Sequence, residues 1–191
     1  HFEGTYLVVP SNRTRNLDLN GFTLRYSTSN AQYSCAITMR DNSVLNIYDS
    51  KGGGQFICLA STNLATLNSD YDQYKANNSC LYGVSNGVVN MSEGNNSVLN
   101  IYGGTFKATK TSNADGGVIV VSTDSGNVVD NATKLTTTFN MYGGTITGGK
   151  ATNDGGNVAV WHTTTKFNMY GGVIENGTAG TYGGNASIVN A

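Results

Sequence analysis

Apolar and polar residues alternate in short runs along most of this chain, and the runs repeat. In FNMYGG, at 139–144 and again at 167–172, Phe and Met alternate with Asn and Tyr, and LNIYGG at 99–104 and LNIYDS at 45–50 keep the same order. A period of two belongs to a strand with one buried face. No run has the 3.6-residue period of a helix. Gly-Gly and Asn/Gly-rich pieces separate the runs and read as turns.

The runs group into units of three strands. One strand is GGVIVVS or GGNVAVWH, the next TKFNMY or SVLNIY, and the third GGTF, GGTI or GGVI. Tyr142 and Tyr170 lie 28 residues apart, as do Gly155 and Gly183, but Gly116 to Gly155 spans 39 and Tyr48 to Tyr102 spans 54. The period is irregular because loops are inserted while the strand motifs persist. Three strands per turn, stacked unit on unit at about 4.8 Å, make a parallel β-helix. The pattern therefore predicts an all-β, right-handed parallel β-helix of about six coils. The hand follows from the preference of parallel crossovers.

One domain is expected over 1–191, with a first coil or cap in 1–30 and insertions near 60–79 and 122–138. Phe139, Met141, Phe167, Met169, Leu99, Ile101, Leu45 and Ile47 should point inward. Phe56, Phe106, Ile146 and Ile174 should fill a second inward column, and Ile119, Val121, Val158, Val160 and Ile188 a third. In the first coil Leu17, Leu19, Phe22 and Leu24 are expected inside, with Asn20-Gly21 as its turn.

Composition narrows the partners. The chain has 191 residues, 25 of them Gly and one Pro; only 12% are charged, with a net charge of -1. Nothing there calls for nucleic acid or an anionic membrane. No stretch approaches the roughly 20 apolar residues of a membrane span, and no signal-peptide pattern is visible. The abrupt opening at His1-Phe2 reads as that of an excised module. Cys35, Cys58 and Cys80 read as small buried hydrophobes, with a Cys35–Cys80 disulfide as the alternative. Few Lys and many Asn, Gly and Thr fit a secreted or surface protein.

NLDLNGFTL, SVLNIYDSKGGG and the repeated FNMYGGTITG together resemble the right-handed parallel β-helix repeat regions of large secreted proteins of gut and rumen bacteria. The resemblance covers most of the chain and implies the fold more than a function. Members usually carry Asn where this chain has Tyr in MYGG.

The candidate sites follow from the outward positions. Tyr48, Tyr102, Tyr142 and Tyr170 recur on successive coils, either as a stabilising ladder or as a platform for sugar rings. Trp161, the single tryptophan, should point outward with His162 beside it, or else pack under the neighbouring insertion. Asn46, Asn100, Asn140 and Asn168 should form an amide ladder that could also offer polar edges to a ligand. Asp115 and Asp154, before Gly-Gly in adjacent units, could hold Ca²⁺ among turn carbonyls, or be solvated turn acids; no other cofactor is implied. Parallel β-helices often host polysaccharide lyases and hydrolases, but the acids here are scattered and no carboxylate pair recurs beside a Lys or Arg.

The reading is a non-catalytic carbohydrate-binding module of a secreted enzyme that degrades plant polysaccharides, binding a β-glycan such as xylan. Its partners would be the polysaccharide and the catalytic or surface modules of the parent chain. Trp161, His162, Tyr102, Tyr142, Tyr170, Asn140 and Asn168 would carry the binding. The alternative is a rigid adhesin-like stalk attached at the cell surface, and the third option a lyase or hydrolase. A stalk predicts open ends and aromatics packed flat. A binding module predicts capped ends and exposed rings.

Overall fold

The computed structural model describes residues 2–3, 6–27, 35–59, 87–91, 95–108, 111–112, 116–122, 136–161 and 164–189. Within them the chain forms only strands, and every pairing is parallel. The first sheet stacks Leu7–Val9, Ile37–Met39, Val89–Asn90, Ile119–Val121, Val158–Trp161 and Ala186–Val189. The second stacks Thr14–Asp18, Val44–Tyr48, Val98–Ile101, Thr138–Met141 and Lys166–Met169. The third stacks Phe2–Glu3, Thr23–Ser27, Gln55–Leu59, Thr105–Ala108, Thr145–Thr147 and Val173–Glu175. The chain visits these sheets in rotation, so the fold is a parallel β-helix of about six coils.

The register follows the repeat. Leu45, Leu99, Phe139 and Phe167 are partners in one column, and Ile47, Ile101, Met141 and Met169 in the next. Phe56, Phe106, Ile146 and Ile174 align across the third sheet. In the central coils these side chains are buried and form one cluster with Ile119, Val121, Val158 and Val160. Each fully buried Leu, Ile, Met or Phe contributes about 1.5–3 kcal/mol of transfer free energy. Stacking equivalent side chains lets one shape solve the packing for all coils.

The Gly-Gly after each tyrosine has a steric reason. A Cβ on Gly143 would stand 2.6 Å from the carbonyl oxygen of Tyr102, one coil away. Gly144 has φ +86°, in the left-handed region, and its Cβ would meet the Gly104 oxygen at 2.6 Å. The first glycine allows coils to approach, and the second makes the corner. Asn20 and Gly21, with φ 49° and 79°, form the expected turn of the first coil.

Three details differ from the sequence reading. A fourth sheet of two-residue strands, Thr111–Ser112, Lys150–Ala151 and Thr178–Ala179, runs through the later coils; runs that short carry no readable period. Phe22 is exposed rather than inside, because the Asn20-Gly21 turn carries it off the inward column. Most of the two expected insertions lies outside the described residues, but Thr138 already belongs to a strand of the second sheet. Cys35 and Cys58 are buried, and the pairing considered for Cys80 lies outside the described residues.

Candidate functional site

The second sheet has a flat outward face carrying two side-chain ladders. In the first, Asn46 Nδ2 donates to Asn16 Oδ1 at 2.8 Å, Asn100 to Asn46 at 2.8 Å, Asn140 to Asn100 at 2.8 Å and Asn168 to Asn140 at 2.9 Å. Every amide donates towards the N-terminal end. Parallel in-register pairing places identical amides one coil apart, which is the spacing a side-chain hydrogen bond needs.

The second ladder is the tyrosine column. Tyr48 and Tyr102 stack at 4.8 Å between ring centroids with planes 4° apart; Tyr102 and Tyr142 stack at 4.8 Å and 5°, and Tyr142 and Tyr170 at 5.0 Å and 9°. Tyr102 and Tyr142 thus have a neighbour on each ring face and present their edges to solvent. Tyr142 is 43% exposed, whereas Tyr170, with one stacked neighbour among the described residues, is 67% exposed. The column starts on Asp18, which pairs with Tyr48 in register.

Trp161 closes the strand Val158–Trp161, one step beyond a wholly buried run, and is itself half-buried. Beyond Val8, which is exposed, the outward column of this sheet is covered: Thr38, Asn90, Val120, Ala159 and Ser187 are all buried. The Gly-Gly corners fold back over it, since a Cβ on Gly116 would meet Ala159 Cβ at 3.2 Å and one on Gly155 the Ala159 Cα at 2.9 Å. Trp161 therefore stands at the rim of a covered face, away from the tyrosine column, which belongs to a different sheet. His162 lies outside the described residues.

The acids act on backbone donors. Asp49 accepts from the Gly21 N–H through Oδ1 at 2.8 Å and from the Gly54 N–H through Oδ2 at 2.7 Å. Asp41 Oδ1 accepts from the Asn95 N–H at 2.7 Å. Asp18 Oδ1 accepts from the Asn20 and Ser50 N–H groups at 2.9 and 3.0 Å, and the Ser50 bond is the main reason its carboxyl is held below the ordinary 3.8. Asp154 is buried and its Oδ1 accepts from the Tyr182 N–H at 2.9 Å. Its expected calcium partner Asp115 lies outside the described residues. Among the described residues no three His, Cys, Asp or Glu side chains gather as a metal site would require, and no helix is long and apolar enough to cross a membrane.

Sequence reasoning passed over one functional-looking residue, Asn157. It is fully buried; its Oδ1 accepts from the Gly149 N–H at 2.8 Å, and its Nδ2 donates to the Glu175 carbonyl at 2.7 Å and to Asn185 Oδ1 at 3.1 Å. The recurrence of Gly-Gly-Asn at 155–157 and 183–185 is the signal that marks it.

No family model matches the chain, and no curated protein or solved structure matches it either.

Proposed function

We propose that this chain is a rigid, non-catalytic segment of a solenoid spacer in a secreted or surface-attached protein. The observation that carries this reading is the closure of the tyrosine column on itself. Sugar rings pack against aromatic faces, and here the faces of Tyr102 and Tyr142 are taken by neighbouring rings at 4.8–5.0 Å. The amides beside them are likewise committed to each other from coil to coil. Both ladders therefore work along the solenoid axis, which favours a stiff rod over a receptive groove.

The second reading is glycan binding, and one observation favours it. Tyr170 keeps one ring face uncovered at the end of the column, with Tyr182 also well exposed. In that reading Tyr170 stacks on a sugar, the edges of Tyr102 and Tyr142 with Asn140 and Asn168 supply polar contacts, and Trp161 forms a separate contact on another face.

Affinity electrophoresis in gels containing xylan, glucomannan, pectin or β-glucan separates the two. The spacer reading expects free migration in every gel by folded protein. Retardation in one gel that is lost on Tyr170→Ala or Trp161→Ala overturns it in favour of a binding module.

A further inference from the structure

We infer that the C-terminal end of the solenoid is an acceptor surface for one more parallel coil of the same repeat. This deepens the spacer reading and rests on it. At the C-terminal end the inward columns run straight into solvent. Met141 is 0% exposed and its partner on the next coil, Met169, is 48% exposed; Val160 is 1% exposed and its partner Ile188 is 66% exposed. Phe167 and Ile174, partly buried, end two further columns, and the Ile119–Val158 column ends on exposed Ala186. No described charge stands at those column positions.

The polar groups at this end are also set for one kind of neighbour. Lys166–Met169, Val173–Glu175 and Ala186–Val189 are edge strands of their sheets. Asn168 takes part in its ladder as a donor to Asn140, which leaves its Oδ1 as the acceptor for a following amide. Tyr170 offers its outer ring face at the spacing already used by three stacked pairs. A coil carrying an apolar–Asn–apolar–Tyr strand in the same register would continue the existing interfaces without change. A second copy docked with its C-terminal face on this one would bring two Asn168 oxygens together, acceptor against acceptor.

The N-terminal end is different. Arg15 is exposed at the register position of Leu45, Leu99, Phe139 and Phe167, so a charge stands on the apolar column. Phe2–Glu3 pairs with Thr23–Ser27 and is the N-terminal edge strand of the third sheet. Leu7 remains exposed there, but Asp18 begins the aromatic column in place of a ring. Burying an unpaired charge between coils is strongly unfavourable, so the two ends are not equivalent: a coil of this repeat set before the first would meet Arg15.

The test extends the chain after Val189 with a second copy of residues 162–189. A control carries the same added residues in scrambled order. The expected result is a Tm higher by about 5 °C or more and an added segment that resists protease, with neither change in the control; binding of the hydrophobic dye ANS stays near that of the parent chain, because the added coil ends in the same apolar columns. Met169→Arg supplies a second, opposite-signed readout. In the 191-residue chain it leaves Tm nearly unchanged, because the side chain is half in solvent. In the extended chain it lowers Tm by roughly 8 °C or more, because a charge becomes buried.

An extension digested by protease as fast as the scrambled one, with Tm unchanged, overturns the inference. So does sedimentation of the 191-residue chain as a dimer that Met169→Arg dissociates, since the occupant is then a second copy. Retardation in a glycan gel would remove the spacer reading while leaving these stability readouts intact, so the two failures are distinguishable.

Discussion

Replacing Tyr142 by Ala tests whether the tyrosine column holds the coils together. Tyr142 stacks on Tyr102 and Tyr170 and is 43% exposed, so a little over half of its surface is hidden. An aromatic side chain buries about 150–250 Å² when fully covered, which makes the hidden part roughly 100 Å², or about 2.5 kcal/mol at 25 cal/mol per Å². Each stacked pair adds about 0.5–1.5 kcal/mol. Neighbouring rings relaxing into the gap offset part of this, and a net loss of roughly 4 kcal/mol is expected. Tyr170 has one stacked neighbour and 67% exposure, so the same reasoning gives about 2 kcal/mol for Tyr170→Ala. For a chain of this size 1 kcal/mol moves Tm by about 2–4 °C. Thermal melts followed by circular dichroism should therefore show a drop of roughly 8–16 °C for Tyr142→Ala and 4–8 °C for Tyr170→Ala. Equal drops, or a Tyr142→Ala variant within about 2 °C of wild type, would refute the ladder as a source of stability.

Three further perturbations probe other parts of the frame. Asn100 both donates and accepts at 2.8 Å, so Asn100→Asp sets a carboxylate oxygen against Asn46 Oδ1; it should cost about 1–3 kcal/mol at neutral pH, and the deficit against wild type should shrink on acidification as protonation restores the donor, which urea melts at two pH values would read. Gly144→Ala meets both a left-handed φ of +86° and a backbone oxygen at 2.6 Å, whereas Gly52→Ala meets a φ of +76° and open space; the first should lose several kcal/mol or fail to fold and the second about 1 kcal/mol, and comparable melts for the two would contradict the close-approach argument. The Asp18 carboxyl is held below 3.8, so it contributes stability that is present above that pH and lost as pH falls through its lowered value; Asp18→Asn should flatten that part of the acid-denaturation curve, and an unchanged acid limb would show the turn bonds to be neutral.

Much of the fold was legible because a solenoid writes the same physical requirement several times. The inward columns at Phe139, Met141 and Ile146 follow from alternation alone, and the parallel register follows from the repetition of FNMYGG. What alternation cannot say is which surface a neighbouring corner covers. Ala159 falls on an outward position by alternation, yet it is buried, because the Gly155 corner folds over it. Nor can it give ring orientation: Tyr142 points outward as expected, yet its faces are turned along the axis towards Tyr102 and Tyr170. That rotation separates a platform from a ladder, and it depends on rotamers that only the stacked coils select. Asn157 escaped notice because a polar residue after Gly-Gly reads as a surface turn until the corner is seen to enclose it.

The unequal coils have a mechanical consequence. Ladder partners are separated by 30, 54, 40 and 28 residues from the N-terminal end upward, although each coil adds the same rise to the rod. Under tension between its termini, such a stack gives way by peeling end coils, each releasing its own length of slack. At about 3.5 Å per extended residue the increments are roughly 105, 190, 140 and 100 Å. A single-molecule extension trace would thus carry a barcode of step lengths that identifies which coil let go and from which end peeling began. The inserted residues, silent in the pitch of the folded rod, would set how much energy a coil dissipates as it is drawn out.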